Sequence, residues 1–191
     1  LGIRMVPRDD DEGVPSRALR KLDVYQATSI GLILVDNVRG ADFQARATLL
    51  AQRVADPIKL AKTWVFEAIY RAQEGAEGRA SAEQYLHGAR ELAAQTPDPY
   101  PRAYVVLGEA FMAYYYGHFK NAVEAFKTAE DVFRNLSGVA WEQNTIRLHR
   151  LRATDYQGAW GELRALYDEY LEDARRRNDR YVEASITRWF N

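Results

Sequence analysis

The sequence predicts an all-α fold of about nine antiparallel helices stacked as a helical-repeat solenoid. Three observations predict this fold class. Apolar residues recur at helical spacing along most of the chain, short breaks rich in Gly, Pro, Asn and Asp separate these stretches, and one pattern of small residues repeats four times. The 191 residues, of which 47% are apolar and 28% charged, suffice for one domain with a sizeable core.

The first 15 residues, "LGIRMVPRDDDEGVP", contain two prolines, two glycines and an acidic run. This composition is typical of an exposed lead-in or linker. We therefore expect the helical domain to cover residues 16–191. Because the chain begins at Leu1 and stops within a helical pattern, we also expect it to be a fragment of a longer chain.

Local signals predict where the helices begin and end. Ser16 is a candidate cap for a helix to about Val35, and the segment from Asn37 to Gly40 predicts a break before a second helix from Asp42. The apolar stripes of these two helices are Leu19, Leu22, Tyr25, Leu32 and Val35, then Phe43, Ala47, Leu50 and Val54.

The dipeptide Asp-Pro marks two further helix starts. Asp56 and Asp98 are each followed by proline, which fits the first helical position because its missing N–H would have no partner there. The remaining helices are expected near 57–74, 80–95, 99–116, 119–135, 139–153, 156–177 and 180–190.

The internal repeat begins with a small residue, at separations of 37, 40 and 37 residues. Its first positions are Ala45, Ala82, Ala122 and Ala159; four residues later come Leu49, Leu86, Phe126 and Leu163, and three beyond those Gln52, Ala89, Ala129 and Leu166. This spacing places each set on one helix face. With Gly117 and Phe119 before it, the third copy resembles the second helix of a tetratricopeptide repeat, so the array is expected to be tetratricopeptide-like.

Three longer segments carry a wider resemblance. They are "LVDNVRGADFQARATLLAQRVADPIKLAKTWVFEA", "GVAWEQNTIRLHRL" and "DYQGAWGELRALYDEYLEDARRRNDRYVEASI", of which "RGADFQAR" and "GVAWEQNT" are the most specific pieces. Together they resemble the C-terminal helical region of large bacterial serine/threonine protein kinases. In that family a kinase domain precedes an ATPase-like segment and tetratricopeptide-like helices.

The chain lacks the motifs that phosphoryl transfer needs. It has no Gly-rich phosphate loop, strand lysine or metal-binding D-F-G, and "HRLRATD" has Leu151 where a catalytic aspartate would stand. His87, His118 and His149 fall 31 residues apart, without ligand partners at metal-site spacing. We therefore expect no catalysis by this chain, no cofactor and no metal site; any kinase activity would belong to the parent chain.

Net charge and composition limit the class of binding partner and the cellular location that we expect. The 26 basic and 27 acidic side chains give a net charge of −1, which argues against nucleic acid. The apolar run "IGLILV" is far shorter than the roughly 20 residues of a membrane helix, and the absence of cysteine fits a reducing compartment, so a cytoplasmic location is expected. The expected partner is a protein or peptide, including the parent's own kinase domain; the oligomeric state is left open.

The candidate partner-binding residues are aromatic or polar side chains near helix ends. They are Arg39, Arg46, Tyr114, Tyr115, Tyr116, Glu142, Asn144 and Arg150. Consecutive tyrosines on a helix point about 100° apart, so at least one of the three should reach the groove or solvent. The leading hypothesis is a non-catalytic interaction and regulatory scaffold that binds through the solenoid groove. The alternative is a ligand-sensing domain that regulates the parent protein.

Overall fold

A computed structural model describes residues 16–33 and 35–190, and within these ranges all regular structure is α-helical, which confirms the all-α prediction. The predicted lead-in, residues 1–15, lies outside the described residues. The helices are α1 (Ser16–Leu32), α2 (Asn37–Val54), α3 (Pro57–Ala72), α4 (Arg79–Ala94), α5 (Pro99–Tyr115), α6 (Phe119–Arg134), α7 (Ala140–Gln157), α8 (Trp160–Arg176) and α9 (Arg180–Phe190).

The chain forms two compact units, with a boundary inside α5 between Gly108 and Glu109. In unit 1, α2 packs on α1, and α3 packs on both α2 and α4. In unit 2, α7 packs on α6 and α8, α8 packs on α9, and α7 also contacts α9. Within each unit, these consecutive helices thus pack against one another. Among the described helices, none is both long and apolar enough to cross a membrane.

The Asp-Pro signals are confirmed. Asp56 Oδ1 accepts a hydrogen bond of 2.9 Å from the backbone N–H of Lys59, and α3 begins at the following proline. Asp98 Oδ1 accepts a bond of 2.9 Å from the N–H of Tyr100, and α5 likewise begins at proline. Each carboxylate satisfies a donor that the first helical turn leaves without a partner.

The predicted break from Asn37 to Gly40 is wrong. Asp36 caps α2 by accepting a bond of 3.0 Å from the N–H of Arg39, so the helix begins at Asn37 and runs through the glycine. A Cβ on Gly40 would lie 2.7 Å from the hydroxyl of Tyr70. This glycine therefore allows a close approach between α2 and α3 and does not end a helix.

Two other helix boundaries differ from the prediction. Helix α1 ends at Leu32, and Val35 lies beyond it with 80% of its surface exposed. Helix α7 continues to Gln157, past the break expected after residue 153. It ends at Gly158, whose φ of 77° is the left-handed conformation that glycine adopts without steric cost.

All three positions of the pattern are buried in the second and third copies. Those positions are Ala82, Leu86 and Ala89, then Ala122, Phe126 and Ala129. In the fourth copy, Ala159 precedes α8 as its cap residue and only the two leucines that follow it are buried.

The register predicted for the first copy is wrong. Ala45 is exposed and Leu49 is 46% exposed, whereas Ala47, Ala51 and Val54 are buried with the same spacing two residues further on. A hydrophobicity pattern predicts the wrong register here because the polar residues Gln44 and Thr48 of α2 are also buried.

Candidate functional site

Unit 2 brings together an aromatic cluster from three helices. The ring centroid of Tyr114, near the end of α5, lies 6.0 Å from that of Phe119 and 6.1 Å from that of Tyr156. The rings of Phe119 and Tyr156 are 4.9 Å apart. The turn at Gly117, with φ of 75°, connects α5 to α6 and so places the first two rings side by side.

Beneath this cluster lies an aromatic layer that fixes its position. Phe126 is fully buried and packs edge-on against Phe111 at 5.3 Å. The imidazole of His149 contacts Phe111 at 4.6 Å and Tyr114 at 5.6 Å. Aromatic pairs at these distances and angles are favourable, and close packing leaves the surface rings few alternative rotamers.

A cation and a second exposed ring extend the cluster. Arg152 and Tyr156 lie four residues apart on α7 and therefore share a helix face. The guanidinium carbon of Arg152 stands 4.2 Å from the ring centroid of Trp189 on α9, a cation–π geometry. Tyr156 and Trp189 are 59% and 58% exposed. We call Tyr114, Phe119, Arg152, Tyr156 and Trp189 the aromatic face.

The three predicted tyrosines lie at the C-terminal end of α5, and the rings of Tyr114 and Tyr115 lie 5.4 Å apart. Tyr114, Tyr115 and Tyr116 are each partly exposed. Burial, together with the neighbouring Tyr156, raises the pKa of Tyr114 to about 12, so its hydroxyl stays protonated at neutral pH. Tyr115 stacks on Phe111 at 6.0 Å. Of the three, Tyr114 is the one with ring contacts to Phe119 and Tyr156.

Arg150 lies in a charged network inside unit 2. Its guanidinium donates to Glu130 and to the hydroxyl of Tyr170, each at 3.1 Å, and its side chain is only 14% exposed. Arg147 donates to the same Glu130 at 2.9 Å and to Asp173 at 2.6 Å. The guanidinium of Arg150 thus makes its hydrogen bonds inside unit 2, and the network connects α6, α7 and α8.

The other candidates on α7 are also engaged internally. Glu142 is 7% exposed. Asn144 Nδ2 donates to Asp179 at 3.0 Å, and its Oδ1 accepts from Arg177 at 3.3 Å. Asn144 thus connects α7 to the turn between α8 and α9.

The two candidates of unit 1 form surface ion pairs. Arg39 is 77% exposed and lies 3.3 Å from Asp36, while Arg46 is 56% exposed and bonds Asp42 at 2.9 Å. Exposed pairs of this kind contribute little to stability. Both arginines belong to unit 1, whereas the aromatic face belongs to unit 2.

Among the described residues, no group of three or more His, Asp or Glu side chains could hold a metal ion. The Nδ1–H of His149 donates to the carbonyl of Thr145 at 2.8 Å. Burial, and to a lesser extent the charge of Arg152, lowers the pKa of His149 to about 4. This imidazole is therefore a neutral packing group at physiological pH.

Of the aromatic face, only Tyr114 is among the candidate residues predicted from the sequence, where Phe119 was assigned to the repeat. Arg152, Tyr156 and Trp189 were not predicted. The spacing of the first two on one helix was a usable signal. The contact with Trp189 joins positions 37 residues apart, which no local pattern indicates. Comparisons with protein-family profiles, curated proteins and solved structures find no match to this chain.

Proposed function

We propose that this chain is a non-catalytic protein-interaction and regulatory domain of tetratricopeptide-like helical-repeat type. The observation that carries the proposal is the aromatic face of unit 2, where exposed Tyr and Trp side chains and an Arg lie on a packed aromatic layer. Tyr, Trp and Arg are the residues that most often dominate the binding energy of protein interfaces.

The construction of the face also supports a binding role. Tyr156 and Trp189 leave more than half of their surface open to a partner, while Phe126 and His149 pack against the ring of Tyr114. A surface restrained before binding loses little conformational entropy when a partner docks. The repeat pattern in α4 and α6, with the packing of consecutive helices inside each unit, supports helix pairs of the helical-repeat type.

The proposed partner is a protein or peptide. The net charge of −1, with many arginines held in ion pairs, does not favour nucleic acid. From the sequence resemblance we further propose that the parent chain is a bacterial serine/threonine protein kinase. Its kinase domain would then be the occupant of the aromatic face.

Isothermal titration calorimetry tests this proposal by measuring the affinity of this chain for the kinase domain that the same reading frame would encode. Tyr156→Ala and Trp189→Ala should each weaken binding by about 30-fold, because a dominant interface residue contributes about 2 kcal/mol or more. Tyr181→Ala is the matched control, since Tyr181 is 51% exposed on α9 but lies outside the face. Equal affinities for all three variants, or no binding by the unaltered chain, would refute the proposal.

A further inference from the structure

Unit 1 contains a polar cleft between the first turns of α2 and the end of α3, separate from the aromatic face. Its volume is about 290 Å³, at the lower end of the range for small-molecule sites. It is lined by Asn37, Ala41, Gln44, Ala45, Glu67, Tyr70, Arg71, Gln73 and Glu74.

The lining has an excess of negative charge. Arg71 binds two carboxylates at once, donating to Glu67 at 3.0 Å and to Glu74 at 3.1 Å. Glu67 has only 6% of its side chain exposed, and its second oxygen accepts from Thr48 at 3.0 Å. One guanidinium against two carboxylates leaves a net charge of −1, partly shielded from water, which favours a ligand with one positive charge.

The lining also contains a buried donor without an acceptor. The Oε1 of Gln73 accepts from Asn37 Nδ2 at 3.3 Å, which orients the amide. The Nε2 of Gln73 is buried and has no hydrogen-bond partner among the described residues. Since buried polar groups are nearly always hydrogen-bonded, this Nε2 indicates a position for an oxygen atom supplied by a ligand.

We propose that this cleft binds a primary ammonium group next to a neutral carbonyl oxygen, the chemistry of an amino-acid amide or of a peptide's free amino terminus. The ammonium would lie against Glu74 and the buried Glu67, and the carbonyl would accept from Gln73. A free amino acid fits less well, because its carboxylate would approach two protein carboxylates. The size of the cleft limits the ligand to about one or two residues.

Binding of small probes to the whole chain, measured by chemical-shift titration, tests this proposal. Alaninamide should bind, whereas N-acetylalaninamide and propylamine should each bind about 10-fold more weakly, because the first loses the positive charge and the second the carbonyl acceptor. Alanine should also bind about 10-fold more weakly, because its carboxylate is repelled by Glu67 and Glu74. A short peptide with a free amino terminus, compared with its acetylated form, distinguishes the two sources of the ligand. Equal binding of alaninamide and N-acetylalaninamide, or no shifts with any probe, would overturn the assignment.

Substitutions locate the site. Glu74→Gln keeps the side-chain shape and alters a half-exposed group, so the variant should fold; it should bind alaninamide about 10-fold more weakly. Glu83→Gln is the matched control, because Glu83 is exposed on α4 and does not line the cleft. If both variants bind like the unaltered chain, the cleft is not the site. A ligand bound here would give unit 1 the sensing role that the sequence left as an alternative.

Discussion

Replacement of Glu130 by alanine tests whether the charged network holds unit 2 together. This carboxylate is 6% exposed and accepts from Arg147 at 2.9 Å, from Arg150 at 3.1 Å and from the hydroxyl of Tyr170 at 2.7 Å. Glu130→Ala would leave two partly buried guanidinium groups without this shared acceptor. Breaking a buried pair by removing one partner typically costs about 3–5 kcal/mol.

The structure favours the lower end of that range. Arg147 keeps Asp173 at 2.6 Å, and Arg150 retains the more exposed Glu162 at 3.7 Å. We therefore expect the free energy of unfolding of unit 2 to fall by about 3 kcal/mol. Tyr170, only 2% exposed, would also lose its acceptor, so the loss should not be much smaller.

Urea unfolding followed by tryptophan fluorescence measures this loss, because Trp141, Trp160 and Trp189, three of the four tryptophans, lie in unit 2. Asp168→Ala is the matched control. It breaks a pair with Arg164 whose side chains are 60% and 80% exposed, and it should cost less than about 1 kcal/mol. If Glu130→Ala costs no more than this control, the network does not stabilise unit 2 and the reasoning fails.

The pH dependence of the same variant supplies a second readout. Burial alone would raise the pKa of Glu130, but hydrogen bonds from Tyr170 and Arg147 hold that pKa below its usual value. The folded state thus favours the charged form. Its contribution is present above the unfolded-state pKa, near 4.5, and is lost as the pH falls through the lower folded-state pKa. Glu130→Ala should show less of this loss in acid; equal acid loss in both proteins would contradict the assignment.

Two further predictions concern packing. The folded-state pKa of His149, about 4 against 6.5 for an ordinary imidazole, means that the unfolded chain takes up its proton first. Stability should therefore fall by about 2.5 kcal/mol as the pH drops from 6.5 to 4, and less in His149→Phe; parallel curves in denaturant titrations would contradict this. Gly88→Ala should destabilise unit 1 by about 1–3 kcal/mol, because its Cβ would lie 2.7 Å from the ring of Trp64, which is 3% exposed. Gly31→Ala, with no atom within 4 Å of the new Cβ, is the control and should be neutral or stabilising in urea unfolding.

The order and approximate extent of the helices followed from the sequence because the signals are local. Asp56 caps the N–H three residues later, and the turn at Gly117 needs only its own backbone freedom. The predictions that failed at Gly40 and beyond residue 153 depended on whether a residue ends a helix or packs within it. A neighbouring helix decides that at Gly40, where the hydroxyl of Tyr70 occupies the space of a side chain.

The buried face of α2 also depends on contacts with a neighbouring helix, which the local sequence does not show. Gln44 and Thr48 are buried because Gln44 donates to the carbonyl of Thr63 at 2.9 Å and Thr48 donates to Glu67 at 3.0 Å. A hydrophobicity pattern places such polar residues on the surface, since their partners lie 19 residues away on α3. The register of the first repeat copy was therefore misjudged by two residues.

The sequence by itself determined that the chain is α-helical, where most helices begin, and which small residues of α4 and α6 face the core. Contacts between side chains of different helices could be identified only from the tertiary structure. Arg150, a candidate for partner contact, binds Glu130 and Tyr170, each 20 residues away. The aromatic face and the unit 1 cleft are also built from separate helices. Helix formation depends on neighbours within one turn, whereas these sites depend on contacts between helices.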